Sequence, residues 1–180
     1  MAQSLSCRYQ EAFSKEESQQ FKEYKRSSDP NLAGGQWQFV LKLAGARKRG
    51  HFGSAFAYEA KNRKGEEVFW GVRSCVASSA AGALHEALVE ASIQARTLGV
   101  QQVLVLSNCR KLVLLFNAFA KPDWRERTMM ADLSCIQQAG VVFKLIFAPK
   151  VVLENVNHLA SQATNVPTHC CWPHMSPFVT

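Results

Sequence analysis

Hydrophobic positions are scattered and without sustained period over the first 36 residues, and from Trp37 they fall into ordered elements. Gln36–Leu43 (QWQFVLKL) reads as a strand, and AGARKRG after it as a glycine-bearing basic loop. His51–Ala60 predicts a second strand and Val68–Val76 a third. The turn between them, Asn62–Glu66 (NRKGE), has Gly65 to take the positive φ such turns need. Strands joined this closely form an antiparallel meander. Ala81, Leu84, Leu88, Ala91, Ala95 and Leu98 then recur at three- and four-residue spacing, a helix capped by Ser78 or Ser79 and ended by Gly99. Val103–Leu106 is a continuous apolar run, expected to be a parallel strand buried on both faces. Asn108–Ala120 and Asp123–Ala139 predict helices parted by Pro122, Val141–Ala148 a fifth strand, and Leu153–Thr164 a last helix.

This order predicts an α/β domain: a mixed five-stranded sheet, an antiparallel meander of three strands plus two parallel strands, flanked by helices. The chain divides into a polar flexible arm (1–36), with at most one helical stretch near Glu11–Tyr24, a folded domain (37–164) and an irregular tail (165–180).

Composition narrows the class. With 47% hydrophobic and 19% charged residues the chain is too apolar to be disordered. No stretch approaches the roughly 18 apolar residues that cross a bilayer. The amino terminus lacks the apolar core of a signal peptide, and its acids argue against a transit peptide. An intracellular protein, nuclear or cytoplasmic rather than secreted, is therefore expected. The six scattered cysteines read as free thiols. Of the net charge of +7, none arises in the arm, which holds five basic and five acidic side chains, and none in the tail. The surplus on the domain favours a polyanion such as nucleic acid, and equally fits plain solubility.

The motifs add a resemblance. From Trp37 to about Ala163 the chain resembles the ribonuclease H fold, specifically the reverse-transcriptase-like RNase H domains abundant in plants. WQFVLKLAGA looks like the first strand with its DGA ending, and GSAFAYEAKNRKGEEVFWG like the second hairpin with its KGE turn. ALVEASIQARTLGVQQVLVLSNCRKLV is similar to the first helix and the fourth strand with its SDS motif. FKLIFAPKVVLENVNHLASQA is similar to the last strand and the NxxADxLAxxA helix.

The resemblance implies hydrolysis of the RNA strand of an RNA–DNA hybrid by two divalent metals, Mg²⁺ in active relatives, held by four carboxylates. Carried over residue by residue, those carboxylates fall on Ala44, Leu84, Asn108 and Asn157, and none is an acid. Lys42 shares a strand face with Ala44 and repels metal. A two-residue shift of the first helix would bring Glu86 to the second position, rescuing one ligand of four. The other acids (Glu59, Glu66, Glu67, Glu90, Asp123, Glu126, Asp132, Glu154) are expected in turns or on helices, solvated and away from the site. No catalytic residue, bound metal or cofactor is expected.

Arg47, Lys48 and Arg49, with Arg110, Lys111 and Lys150 approaching the same sheet end, are the candidate phosphate contacts. Those segments contain no aromatic platform. His169-Cys170-Cys171-Trp172-Pro173-His174 has poor spacing for a tetrahedral zinc, and His85 has no nucleophile as partner. Three functions follow: a catalytically inactive domain binding hybrid or duplex nucleic acid through a basic face; a protein-interaction or structural module; or an RNA–DNA hybrid ribonuclease with rebuilt metal ligands.

Overall fold

Alternation along β1 (Phe39–Arg47) sets the two sides of the sheet. Leu41 and Leu43 enter a layer of large side chains, whereas Ala44 and Ala46 enter a layer of small ones. The structure, a computed structural model, describes residues 37–48, 53–117 and 121–172, all within one compact unit that begins at Trp37.

β2 (Ser54–Asn62) and β3 (Glu67–Cys75) continue from β1 as an antiparallel meander, turning at Gly65 with φ +81°. β4 (Gln102–Ser107) and β5 (Val142–Phe147) add to the other side of β1 in parallel. β6 (His169–Trp172) pairs antiparallel with β3, giving the order β5-β4-β1-β2-β3-β6. The sheet therefore has six strands, one more than expected, and the sixth comes from the tail expected to be irregular. Its attachment is specific: the Ser74 hydroxyl donates to the Ala163 carbonyl at 2.8 Å and accepts from the Thr168 amide at 2.9 Å. β6 thereby covers what would be an open edge of β3.

β1 also runs further than expected. Ala44–Arg47 pairs with Ser54–Ala57, so the first four residues assigned to the basic loop are strand. Gly45 permits this close packing: a side chain there would collide with the Ala80 carbonyl and lie 2.8 Å from the Leu84 amide nitrogen.

One side of the sheet carries α1 (Ala80–Thr97), α2 (Arg110–Phe116) and α3 (Trp124–Gln138). Ser79 caps α1 through the Gly82 amide, and Asp123 with Glu126 forms a capping box on α3. Leu41, Leu43, Phe56, Tyr58, Leu88 and Leu145 fill the core between them. Tyr58 lies across Gly71, where any side chain would meet its ring, and its hydroxyl donates to Glu90 at 3.0 Å.

The opposite side carries a 3₁₀ turn (Lys150–Leu153) and α4 (Glu154–Ala163), which packs over β1, β2 and β3. Its layer is built mostly of alanines: Ala44, Ala55, Ala57, Ala148, Ala160 and Ala163, with Val72, Leu153 and Val156. Because α4 sits over those three strands, β4 is buried on one face only: Val103 and Val105 are fully covered, Leu104 and Leu106 half-covered. The expectation of burial on both faces is corrected accordingly. Among the described residues no helix is long and apolar enough to cross a membrane.

Candidate nucleic-acid interface

Of the four positions singled out by the motifs, Ala44 lies on β1, Asn108 just after β4, Leu84 on α1 and Asn157 on α4. Ala44 is wholly buried in the alanine layer beneath α4, against which Val156 and Ala160 also pack. Asn157 lies between those two on α4, half-buried. The adjoining Gly45 abuts α1 at Leu84, which is 2% exposed and part of the opposite core. Lys42 pairs with Leu106, so the same parallel register carried two residues on sets Asn108 level with Ala44. Glu86 is exposed and lies beside Cys75 at the end of β3, whose thiol is pushed up chiefly by burial.

The four positions carry a methyl, an isobutyl and two carboxamides. Divalent cations of the Mg²⁺ type need anionic oxygen ligands, and this donor set does not fit two of them. Among the described residues no cluster of three or more His, Cys, Asp or Glu side chains could hold a metal.

The nearby acids are arranged differently from the expected solvated surface. Glu59 is on β2, 8% exposed, between Lys61 at 3.0 Å and Lys42 at 3.8 Å. Glu90 accepts from Arg73 at 3.1 Å and from Tyr58. Glu126 is 4% exposed and bound to Lys111, and its carboxylate also accepts from the Asp123 amide at 2.8 Å. Three acids expected in solvent are instead half- or fully covered and neutralised by cations, the condition under which a buried carboxylate is tolerated. The Lys111 ammonium holds the Glu126 carboxyl below its ordinary range, and Glu126 in turn raises Lys111. Backbone donation from Glu126 and Arg125 lowers Asp123. His85, beside Leu84, is lowered by burial and stands in the field of Glu126, Lys111 and Asp123.

β1, β4 and β5 run parallel, so their carboxyl ends bring the candidate cations to one end of the sheet. Arg47 is exposed at the end of β1, and Lys48 donates to Asn165 at 2.8 Å. Arg110 stacks over Phe147 with its guanidinium 5.3 Å from the ring centre, and Lys150 is exposed after β5. Lys111 reaches the same end but is engaged by Glu126. Arg49 lies outside the described residues.

No protein-family model and no curated protein matches this chain. Solved structures do. LC11-RNase H1, in a complex with RNA/DNA hybrid, superposes with a TM-score of 0.65 at 15% identity over 71% of this chain and 96% of that one. RNase H1 of the halophilic archaeon Halobacterium salinarum gives 0.63 at 18% identity over 71% and 97%. The protease-reverse transcriptase of prototype foamy virus gives 0.59 at 12% identity, covering 74% of this chain and 21% of that protein. The chain has an RNase H-like fold.

Within this RNase H-like fold the sequence left two features unread. Trp124, the first residue of α3, is 72% exposed, with the Arg125 guanidinium 4.9 Å from its ring centre. A large aromatic directly after the N-cap of a capping box, flanked by Lys121, Arg125 and Arg127, is the signal that could have found it. The second is β6: HCCW carries the residue types of a metal motif, and its pairing with β3 shows only in the fold.

Proposed function

We propose that this chain is a non-catalytic RNase H-like domain that binds an RNA–DNA hybrid or duplex through cations at the carboxyl end of its parallel strands. The observation that carries the proposal is the closed site: Ala44 and Leu84 are buried in two apolar layers where the resemblance implies metal-binding carboxylates. None of the four positions carries a charge that would repel a phosphate, and Arg47, Arg110 and Lys150 follow the carboxyl ends of β1, β4 and β5. The similar structure of LC11-RNase H1 contains RNA/DNA hybrid, which supports the choice of ligand class. Phosphate contacts of this kind give affinity with little sequence preference.

Salt titration of hybrid binding tests the reading. Affinity falls linearly with salt on logarithmic axes, and replacing Arg47, Lys48 and Arg49 together by Ala reduces the slope by about one per phosphate contact removed. Absence of binding at low salt overturns the proposal. Binding that is indifferent both to salt and to the triple substitution overturns it in favour of a partner held by an apolar patch.

A further inference from the structure

We infer that Trp124 and Arg125 form a stacking platform for an unpaired nucleobase beside the closed site, an inference that rests on the nucleic-acid reading above.

The platform is rigid. Asp123 accepts from the amides of Arg125 and Glu126, both at 2.9 Å, and Glu126 accepts from the Asp123 amide, so the backbone carrying Trp124 is fixed from both directions. Glu126 is itself buried and tied to Lys111 of α2. Arg125 covers the Trp124 ring, and its guanidinium donates to the Ser78 hydroxyl at 3.1 Å, which anchors it at the start of α1. An indole held this way is pre-organised to receive a second planar group, and ordering it on binding costs little.

Its surroundings select the partner. Lys121, Arg125 and Arg127 are exposed, whereas Asp123 is occupied by helix amides and Glu126 by Lys111. An exposed indole among solvated cations suits a base with its phosphate: the ring stacks on the base and the cations meet the backbone.

Its position completes the argument. Arg125 of α3 reaches Ser78 just before α1, and Ala80 and Leu84 of α1 lie against Gly45 of β1, so the start of α3 flanks the point where α1 meets β1. A strand that leaves a duplex near that point passes the indole as a single strand.

The test compares a blunt RNA–DNA hybrid with the same hybrid carrying a short single-stranded RNA tail, bound by the full chain at one low salt concentration. The tail strengthens binding, and Trp124→Ala removes that gain, a loss of roughly 5- to 150-fold for one stacked base. Trp124→Phe keeps most of it. Blunt-hybrid binding by Trp124→Ala stays at the wild-type level, which also reports that the variant is folded. If the wild type binds both probes equally, or if Trp124→Ala keeps the tail advantage, the platform is overturned while the nucleic-acid reading stands. If neither probe binds the wild type, that reading fails and the inference with it.

Discussion

The two faces of the sheet solve the same burial problem with opposite materials. Beneath α1 and α3 the core is made of Leu41, Leu43, Phe56, Tyr58 and Leu88; beneath α4 it is made largely of alanines. Large side chains gain stability from the apolar area each removes from water. Small ones gain it by close approach of helix to sheet, where many weak contacts add up and spare volume is absent. The first face is therefore vulnerable to truncation and the second to enlargement. Ala44 belongs to the second face and Leu84 to the first, so the closed site is the place where both kinds of packing meet.

That contrast can be broken by substitution. Phe56→Ala, at a fully buried position, lowers unfolding free energy by about 3–5 kcal/mol in urea denaturation. Ala44→Asp costs a similar amount, about 3–5 kcal/mol, because it leaves an uncompensated charge in the alanine layer. It also yields no hybrid cleavage, since three of the four positions remain without a carboxylate. Ala160→Leu adds bulk to the tight face and costs roughly 1–3 kcal/mol, whereas Ser161→Leu, a comparable enlargement at an exposed position of the same helix, is close to neutral. A tolerant Ala160→Leu, with no shift in the urea midpoint, would sink the close-packing account.

The smallest expected effect is electrostatic. Glu126 is lowered in the folded protein from its ordinary 4.5. Its contribution to stability is therefore fully present above that value and is lost as pH falls through the depressed folded one. Urea midpoints followed downward from neutral pH decline in this window, and Glu126→Gln makes the decline shallower. An unchanged pH slope in the variant would remove the Lys111–Glu126 pair from the stability account.

The strand and helix order was legible from hydrophobic period alone, because β1 to β5 and the helices each carry enough residues to show their spacing. The antiparallel meander and the two parallel strands were legible with it; the pairing of β6 with β3 was not. The half-open face of β4 depends on where α4 lies, which no local pattern of VLVL encodes. Glu59 and Glu126 read as surface acids because their burial rests on contacts distant in sequence: Lys42 meets Glu59 across the β1–β2 pairing, and Lys111 meets Glu126 from α2. The motifs single out four positions without a carboxylate, Ala44, Leu84, Asn108 and Asn157. The exposure of Trp124 was not legible, since it depends on how α3 enters the fold.

The central claim is that the fold carries nucleic acid without cutting it. The decisive measurement is a gel that reads both binding and integrity of a labelled RNA–DNA hybrid at low salt, with Mg²⁺ or Mn²⁺ and with chelator. The account predicts a retarded, intact hybrid under every condition. Cleavage that survives purification and disappears with chelator would contradict it.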